Sequence, residues 1–297
     1  MIIDSHMHLT RKKNFDIERN EKMNLGVPED TDIDQLVSWW REAGIDKAVC
    51  MGQDMSRIWG NNFGEEHVLE SYEKYSDFFI PFVSIEPNDS AGRFYPEKFE
   101  YFKKRILVNK FCGVLFTPPF GQYLSNSAIM YPYYEFAQRN NVVVQYHHSA
   151  QMGPAILSPT KYVRMEYLND VMVDFPELTL IVEHSGYPFS EHLFVLMTNH
   201  KKLYCDLAMN FVRPTWLARN LVVAKEYGVL DRVMFASDYV AAGYDLFSEN
   251  PADDLKKWIH YLREELNQIC EKCGWPIFTQ KEIAGILGEN AARLYCS

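Results

Sequence analysis

The sequence predicts an α/β chain of the (β/α)8 class, a TIM barrel, and three observations predict it. Eight short apolar runs alternate with longer segments of helical periodicity. The runs are apolar nearly throughout, as in parallel strands buried under helices. Several of them end in histidine or aspartate, and a barrel gathers such strand ends on its C-terminal rim. A doubly wound open sheet shows the same strand–helix rhythm; the placement of the polar ends favours the barrel.

The first run, Met1-Ile2-Ile3-Asp4-Ser5-His6-Met7-His8, ends in a His-x-His pair. Side chains alternate along a strand, so His6 and His8 share a face. Two imidazoles held that way suit one borderline-soft metal ion, which takes nitrogen or oxygen ligands at about 2.0–2.2 Å. The text is then polar and irregular as far as Asp30, broken by Gly26 and Pro28. Such a segment reads as a surface loop or as a lid over a site.

Helices are predicted over residues 31–43, 64–76, 96–107 and 131–139, and strands over 45–51, 78–85, 111–116 and 142–146. Pro118-Pro119 stops the fourth strand, and the fifth runs into His147-His148. Further helices are predicted over 161–174, 189–198 and 214–227, and strands over 178–182, 203–207 and 232–236. The sixth strand leads into Glu183-His184 and the eighth into Ser237-Asp238. Helical patterns over 253–270 and 280–295 close the chain. No linker rich in Gly, Ser or Pro divides it, so one domain is expected over 1–297, with a helical extension from about 253.

Composition narrows the function. With 297 residues, 47% hydrophobic and 14% aromatic, the chain holds enough apolar surface for a large core. A formal charge of -10 argues against a nucleic-acid partner. No basic leader precedes Ile2 and no apolar run spans a bilayer, so a soluble cytoplasmic protein without a membrane partner is expected. Cys50, Cys112 and Cys205 lie in strand candidates and read as buried thiols; Cys270 and Cys273 read as an incidental surface pair.

The polar strand ends form a constellation. His6 and His8 end the first strand, His147 and His148 the fifth, His184 the sixth and Asp238 the eighth. Singly, His184 reads as a core histidine and Asp238 as a loop cap. Together they read as a mononuclear site of three nitrogens and one oxygen: His6, His8, His147 and Asp238 around one ion, with room for water.

These residues resemble the amidohydrolase superfamily, and within it the branch of aminocarboxymuconate-semialdehyde decarboxylase and its amidohydrolase-related relatives. The markers are Ile3-Asp4-Ser5-His6-Met7-His8, Asp174-Phe175-Pro176-Glu177-Leu178 with Glu183-His184-Ser185-Gly186, and Val233-Met234-Phe235-Ala236-Ser237-Asp238-Tyr239. The closing Ile286-Leu287-Gly288-Glu289-Asn290-Ala291-Ala292-Arg293-Leu294-Tyr295 adds the final helix. The resemblance implies a metal-dependent barrel in which His6, His8, His147 and Asp238 are ligands, with His148 as the fallback for His147. His184 would be the base, held near Asp238. It implies one divalent ion, zinc first and manganese second. The fourth strand, Val114-Leu115-Phe116-Thr117, has no lysine near its end of the kind that bridges two ions in other members.

The resemblance leaves two chemistries open. One is hydrolysis of a small carboxylated lactone or amide by metal-activated water. The other is non-oxidative decarboxylation of a muconate-type or aromatic acid, with His184 directing protonation of carbon. Retention of His6, where some decarboxylases have glutamate, inclines the reading to hydrolysis. Arg57 and Arg213 are candidate clamps for a substrate carboxylate, each with a surface salt bridge as the plainer alternative. Trp59, Tyr123 and Tyr239 are candidates for an apolar wall, and His148 for a further contact. A non-catalytic binding barrel is the third reading. The mixed helix over 253–270 suggests a homodimer, although it equally fits packing on the barrel.

Overall fold

The computed structural model describes residues 1–148, 158–241 and 247–295. Eight parallel strands follow one another in sequence order around one sheet: β1 (Ile3–His8), β2 (Lys47–Met51), β3 (Phe79–Ser84), β4 (Gly113–Phe116), β5 (Val143–Tyr146), β6 (Leu180–Val182), β7 (Leu203–Asp206) and β8 (Val233–Met234). The ring closes because the segment after β8 returns to β1. Ser5 N–H donates to Phe235 O, Asp238 N–H to His6 O and His8 N–H to Tyr239 O, at 3.0, 2.9 and 2.7 Å. The TIM barrel expected from the sequence is the fold.

Thirteen helices are assigned among the described residues: α1 (Ile17–Lys22), α2 (Ile33–Glu42), α3 (Glu65–Lys74), α4 (Pro96–Leu107), α5 (Pro118–Gly121), α6 (Tyr131–Arg139), α7 (Met165–Asp174), α8 (Ser190–Asn199), α9 (Pro214–Glu226), α10 (Pro251–His260), α11 (Leu266–Cys273), α12 (Gln280–Ala284) and α13 (Asn290–Tyr295). Their starts follow ordinary chemistry. Asp32 caps α2 by accepting from Gln35 N–H, Thr279 and Glu282 form a capping box on α12, and α4, α9 and α10 begin with proline.

Two apolar layers result. Ile3, Val49, Met51, Ile80, Phe82, Leu115, Val143, Ile181 and Met234 fill the barrel, whose lower end is covered by Ala291 and Tyr295 of α13. A larger layer, with Trp40, Phe102, Tyr133 and Phe194 fully buried or nearly so, lies between strands and helices. Gly113 faces the Phe82 ring; a Cβ there would lie 2.4 Å from it, so only glycine lets Phe82 occupy the barrel axis.

Three departures from the predicted elements have physical causes. The segment after β1 is not wholly irregular: Asp16 accepts from Arg19 N–H and caps the short α1. Strand β8 is two residues long because Phe235 N–H turns to Ile286 O of the C-terminal helices. Those helices each absorb a wide turn, at Tyr261–Glu265 and Gly285–Glu289, instead of running unbroken. Cys270 is buried against α9 and its neighbours, which corrects the reading of Cys270 and Cys273 as a surface pair; only Cys273 is exposed. Among the described residues no helix is long and apolar enough to cross a membrane.

Glu65 ties a helix to the barrel. It opens α3, is buried, and accepts from Ser84 N–H at 2.7 Å at the end of β3. Burial pushes its carboxyl from the ordinary 4.5 up to about 8. The folded chain thus keeps a proton that the unfolded chain releases above about 4.5. The associated stability is full below that pH and is lost as pH rises through about 8. We expect Glu65→Gln, which keeps the acceptor, to lower the pH slope of stability between pH 5 and 8 by at most about 1.4 kcal/mol per unit. Thermal melts of both proteins across that range test this, and identical slopes would refute it.

Candidate metal centre

Strand period and barrel geometry bring β1 and the residue after β8 to one point. His6 Nε2 and His8 Nε2 are 3.0 Å apart, and Asp238 Oδ1 lies 3.3 Å from the first and 3.5 Å from the second. All three residues are buried, Asp238 least so at 8% exposed. Asp238 sits at φ 58°, a left-handed conformation that aspartate tolerates better than most residues, and this turns its carboxylate back over the barrel mouth.

The hydrogen bonds behind each ring decide what these atoms offer. His6 Nδ1–H donates to Asp206 Oδ2 at 3.1 Å, and His8 Nδ1–H to the Gly52 carbonyl at 3.2 Å. Both Nδ1 protons are therefore committed, and the facing Nε2 atoms are the ones left to share a proton or to bind a metal ion. Two lone pairs and a carboxylate oxygen at this spacing repel unless a proton or a metal ion lies among them. An ion at about 2.0–2.2 Å from tetrahedral donors places those donors roughly 3.3–3.6 Å apart; the two spacings to Asp238 fall in that range and the 3.0 Å between the imidazoles lies just below it. The residues fit a divalent metal.

The electrostatics agree. Burial alone would lower the His6 pKa, but the carboxylates of Glu183, Asp238 and Asp206 overcome it and push His6 up to about 10. Burial and the charge on His6 push His8 down to about 4. The pair thus keeps one positive charge among its carboxylates. Asp4 braces the same seam, accepting from Trp40 Nε1–H at 2.7 Å and Ser237 N–H at 2.8 Å. Burial raises its carboxyl to about 6.

Beside this triad lies a second group. His147 Nδ1 is 3.0 Å from Glu183 Oε2 and 3.3 Å from His184 Nε2, and His184 Nε2 is 3.5 Å from Glu183 Oε2. The structure thus divides the predicted ligand set: His6, His8 and Asp238 form one potential metal group, and His147 joins Glu183 and His184 in another. Strand alternation sends His147 into the mouth and His148 away from it, against Tyr146. His184 reaches the mouth although Glu183 already faces it, because the strand ends at Val182 and His184 and Ser185 turn left-handed, at φ 56° and 51°. His184 Nδ1–H donates to the Ala208 carbonyl at 3.2 Å, so Nε2 is the atom left to gain or lose a proton; burial would lower its pKa, but Glu183 and Asp238 raise it above the ordinary value. Asp238 Oδ2 lies 4.0 Å from His184 Nδ1.

Glu183 and Asp206 escaped the sequence reading. Glu183 is fully buried, holds Gln145 Nε2–H at 2.9 Å, and lies 3.5 Å from His6 Nε2 through Oε1. Asp206, also fully buried, accepts the amides of His184 and Ala208 at 2.8 and 3.1 Å. The available signal was an acidic residue inside or closing an apolar strand, where burial demands a charged or hydrogen-bonding partner. Asp206 holds the His6 ring through Nδ1 and would orient it toward an ion without touching that ion. Asp206→Asn is therefore expected to weaken metal binding about 10- to 100-fold, measured by competition with a chelating dye, with the fold intact.

The candidate substrate residues are spread out. Arg57 is tied to Glu86 Oε1 at 3.4 Å and to the Gly121 carbonyl. Trp59 packs on Phe120, which stacks on His147 at 4.3 Å, so Trp59 stands one ring behind the mouth. Tyr123 is buried with its hydroxyl on Thr117 N–H. Tyr239 packs between Trp40 and Phe247 and meets β1 through its carbonyl. Arg213 is exposed on the rim, over the Tyr187 ring.

A parallel barrel whose C-terminal mouth gathers imidazoles and carboxylates around a cation-shaped gap defines a metal-dependent barrel enzyme. The family model described as amidohydrolase matches residues 3–296, and the chain belongs to that family. Its members include hydrolases and decarboxylases, and this chain is an enzyme of that kind. No curated protein matches the chain. Among solved structures it is similar to an uncharacterized TIM-barrel protein from Bordetella bronchiseptica, at 21% identity and a TM-score of 0.72 over 99% of this chain and 98% of that one. It is also similar to a probable 2-pyrone-4,6-dicarboxylic acid hydrolase from Acinetobacter baumannii with citric acid bound, at 16% identity and 0.68 over 100% and 99%. A dihydroxybenzoic acid decarboxylase from Polaromonas with bound manganese shows 15% identity and 0.67 over 99% and 96%. At these identities the likeness concerns the fold.

Proposed function

We propose that the chain is a metal-dependent hydrolase that opens a small carboxylated lactone or amide. The observation that carries this is the pair of facing Nε2 atoms of His6 and His8, 3.0 Å apart beside Asp238. A divalent ion held there, zinc in preference to manganese, would polarise the acyl oxygen and lower the pKa of water towards 7. His184 is the base. Its Nδ1 proton is committed to Ala208, so Nε2 takes a proton from water and returns it to the leaving oxygen or nitrogen. Asp238 Oδ2 faces the ring and stabilises the imidazolium while the proton is held. Phe63 against His8 and Phe120 on His147 keep the mouth dry.

Non-oxidative decarboxylation is the second reading, favoured by the likeness to the manganese-bearing decarboxylase. There His184 would deliver its proton to the carbon that loses CO₂. A panel of pyrone and other lactone carboxylates, amides, carboxylated muconates and dihydroxybenzoates separates the two. Acid release without CO₂ is expected. CO₂ from an aromatic or muconate acid would replace hydrolysis by the second reading. Binding with neither product, in protein shown to hold its ion, would leave a non-catalytic barrel.

A further inference from the structure

Between the starts of α3 and α4 lies a cavity of about 530 Å³, a size that suits a small molecule. None of the imidazoles or carboxylates of the barrel mouth lines it. Glu65 stands in its wall and is only 8% exposed. One oxygen of that carboxyl is fixed. Oε1 accepts from Ser84 N–H at 2.7 Å, and it lies so close to Gly52 that a Cβ there would come within 2.9 Å. The other oxygen, Oε2, is buried and has no hydrogen-bond partner among the described residues. A buried polar atom left so is costly, and a donor entering the cavity would satisfy it.

The rest of the wall says what kind of donor. Glu66 and Glu97 stand exposed in the first turns of α3 and α4, where helix N-termini favour anions. Lys98, the one lysine among the described lining residues, is bound to the buried Asp54 at 2.5 Å, so its charge is matched. Tyr95 and Tyr101 supply aromatic surface, which attracts cations as well as apolar groups. The three glutamates do not form a compact set of ligating atoms as the groups at the mouth do. Their spread suits an extended organic cation better than a bare metal ion.

The geometry points to a ligand site apart from the metal centre, taking a small protonated amine whose ammonium donates to Glu65 Oε2 and whose apolar body lies against Tyr95 and Tyr101. Binding there is linked to a proton. In the empty cavity burial holds the Glu65 carboxyl up to about 8; Asp54 adds to the rise, while the Ser84 amide, Arg105 and Lys98 oppose it. Tyr101 and Cys50 also face it, and burial raises both, so neither is charged near pH 7. With Oε1 accepting from Ser84, the proton sits on Oε2. An ammonium at Oε2 favours the ionised carboxylate, so below about pH 8 that proton passes to solvent as the amine binds.

The test is a calorimetric titration of the full chain with benzylamine and with butylamine near pH 7, each in two buffers of different ionisation enthalpy. We expect one equivalent of at least one amine to bind with a Kd of about 1 mM or tighter, releasing up to one proton. Benzyl alcohol and butanol, the neutral counterparts, should bind at least about 10-fold more weakly. In Glu65→Gln the amide nitrogen takes the place of Oε2 and accepts nothing. That variant should bind about 10- to 100-fold more weakly and release no proton, with near-UV circular dichroism checking its fold. The double variant Glu66→Lys, Glu97→Lys changes only exposed side chains and should weaken binding at least about threefold, less so at high salt. His8→Ala should bind the amine as the wild type does, whatever becomes of its metal. Neither amine binding by about 10 mM overturns the site, as does a neutral counterpart that binds equally well. Unchanged affinity in Glu65→Gln or in the rim variant also overturns it. Loss of binding in His8→Ala would move the amine to the barrel mouth and overturn it too.

Discussion

Asp238→Asn protein, purified beside the wild type, is expected to hold no tightly bound metal and to show no turnover. Asparagine keeps the left-handed backbone at φ 58° within reach and keeps a side-chain oxygen, so the substitution removes charge and little else. That charge is the anionic member of the first triad, 3.3 and 3.5 Å from the two imidazole nitrogens. Without it the ion rests on two neutral imidazoles and on Glu183. We expect the affinity to fall at least about a thousandfold, beyond the loss expected for the orienting Asp206. His8→Ala should do the same. Elemental analysis after gel filtration, followed by calorimetric titration with zinc, measures the effect. One ion per chain retained in Asp238→Asn would remove the first triad as the metal site.

His184→Asn separates the proposed base from the proposed ligands. The residue also sits in a left-handed turn, at φ 56°, which asparagine accepts. The first triad does not include it, so one ion should remain. Loss of a positioned base is worth about 10²–10⁴ in rate, and we expect kcat to fall in that range while KM changes little. The pH–rate profile should lose the limb that reports His184. Loss of the first ion in this variant would make His184 a ligand, and an unchanged kcat would assign the proton transfer elsewhere.

Much of this was readable from residue order, for reasons that mark where reading stops. Alternation along β1 placed His6 and His8 on one face, and the structure brings their Nε2 atoms to 3.0 Å. Alternation also let only one of His147 and His148 face the mouth; the family resemblance, not the spacing, named His147. Alternation failed at Glu183 and His184, because two adjacent residues share the mouth only when the strand ends and the backbone turns left-handed between them. No pattern of residue types announces that turn where the residues are not glycine. Asp206 was hidden inside an apolar run, its role set by what β1 places opposite it. Arginine and aromatic candidates fared differently. Arg57 meets Glu86 from another strand end, and Tyr239 meets Trp40 and Phe247, partners that no local spacing records.

The seam between β1 and the segment after β8 carries the first triad: two of its residues stand near residue 7 and the third at 238. An ion bound there is a cross-link between distant parts of the chain, closing a loop of about 230 residues as a disulfide would, but one that forms by mass action. A chain still emerging from synthesis holds His6 and His8 without Asp238, and so cannot complete the triad until the eighth strand arrives. Metal capture then reports that the barrel has closed, and heat or denaturant that opens the seam releases the ion with it.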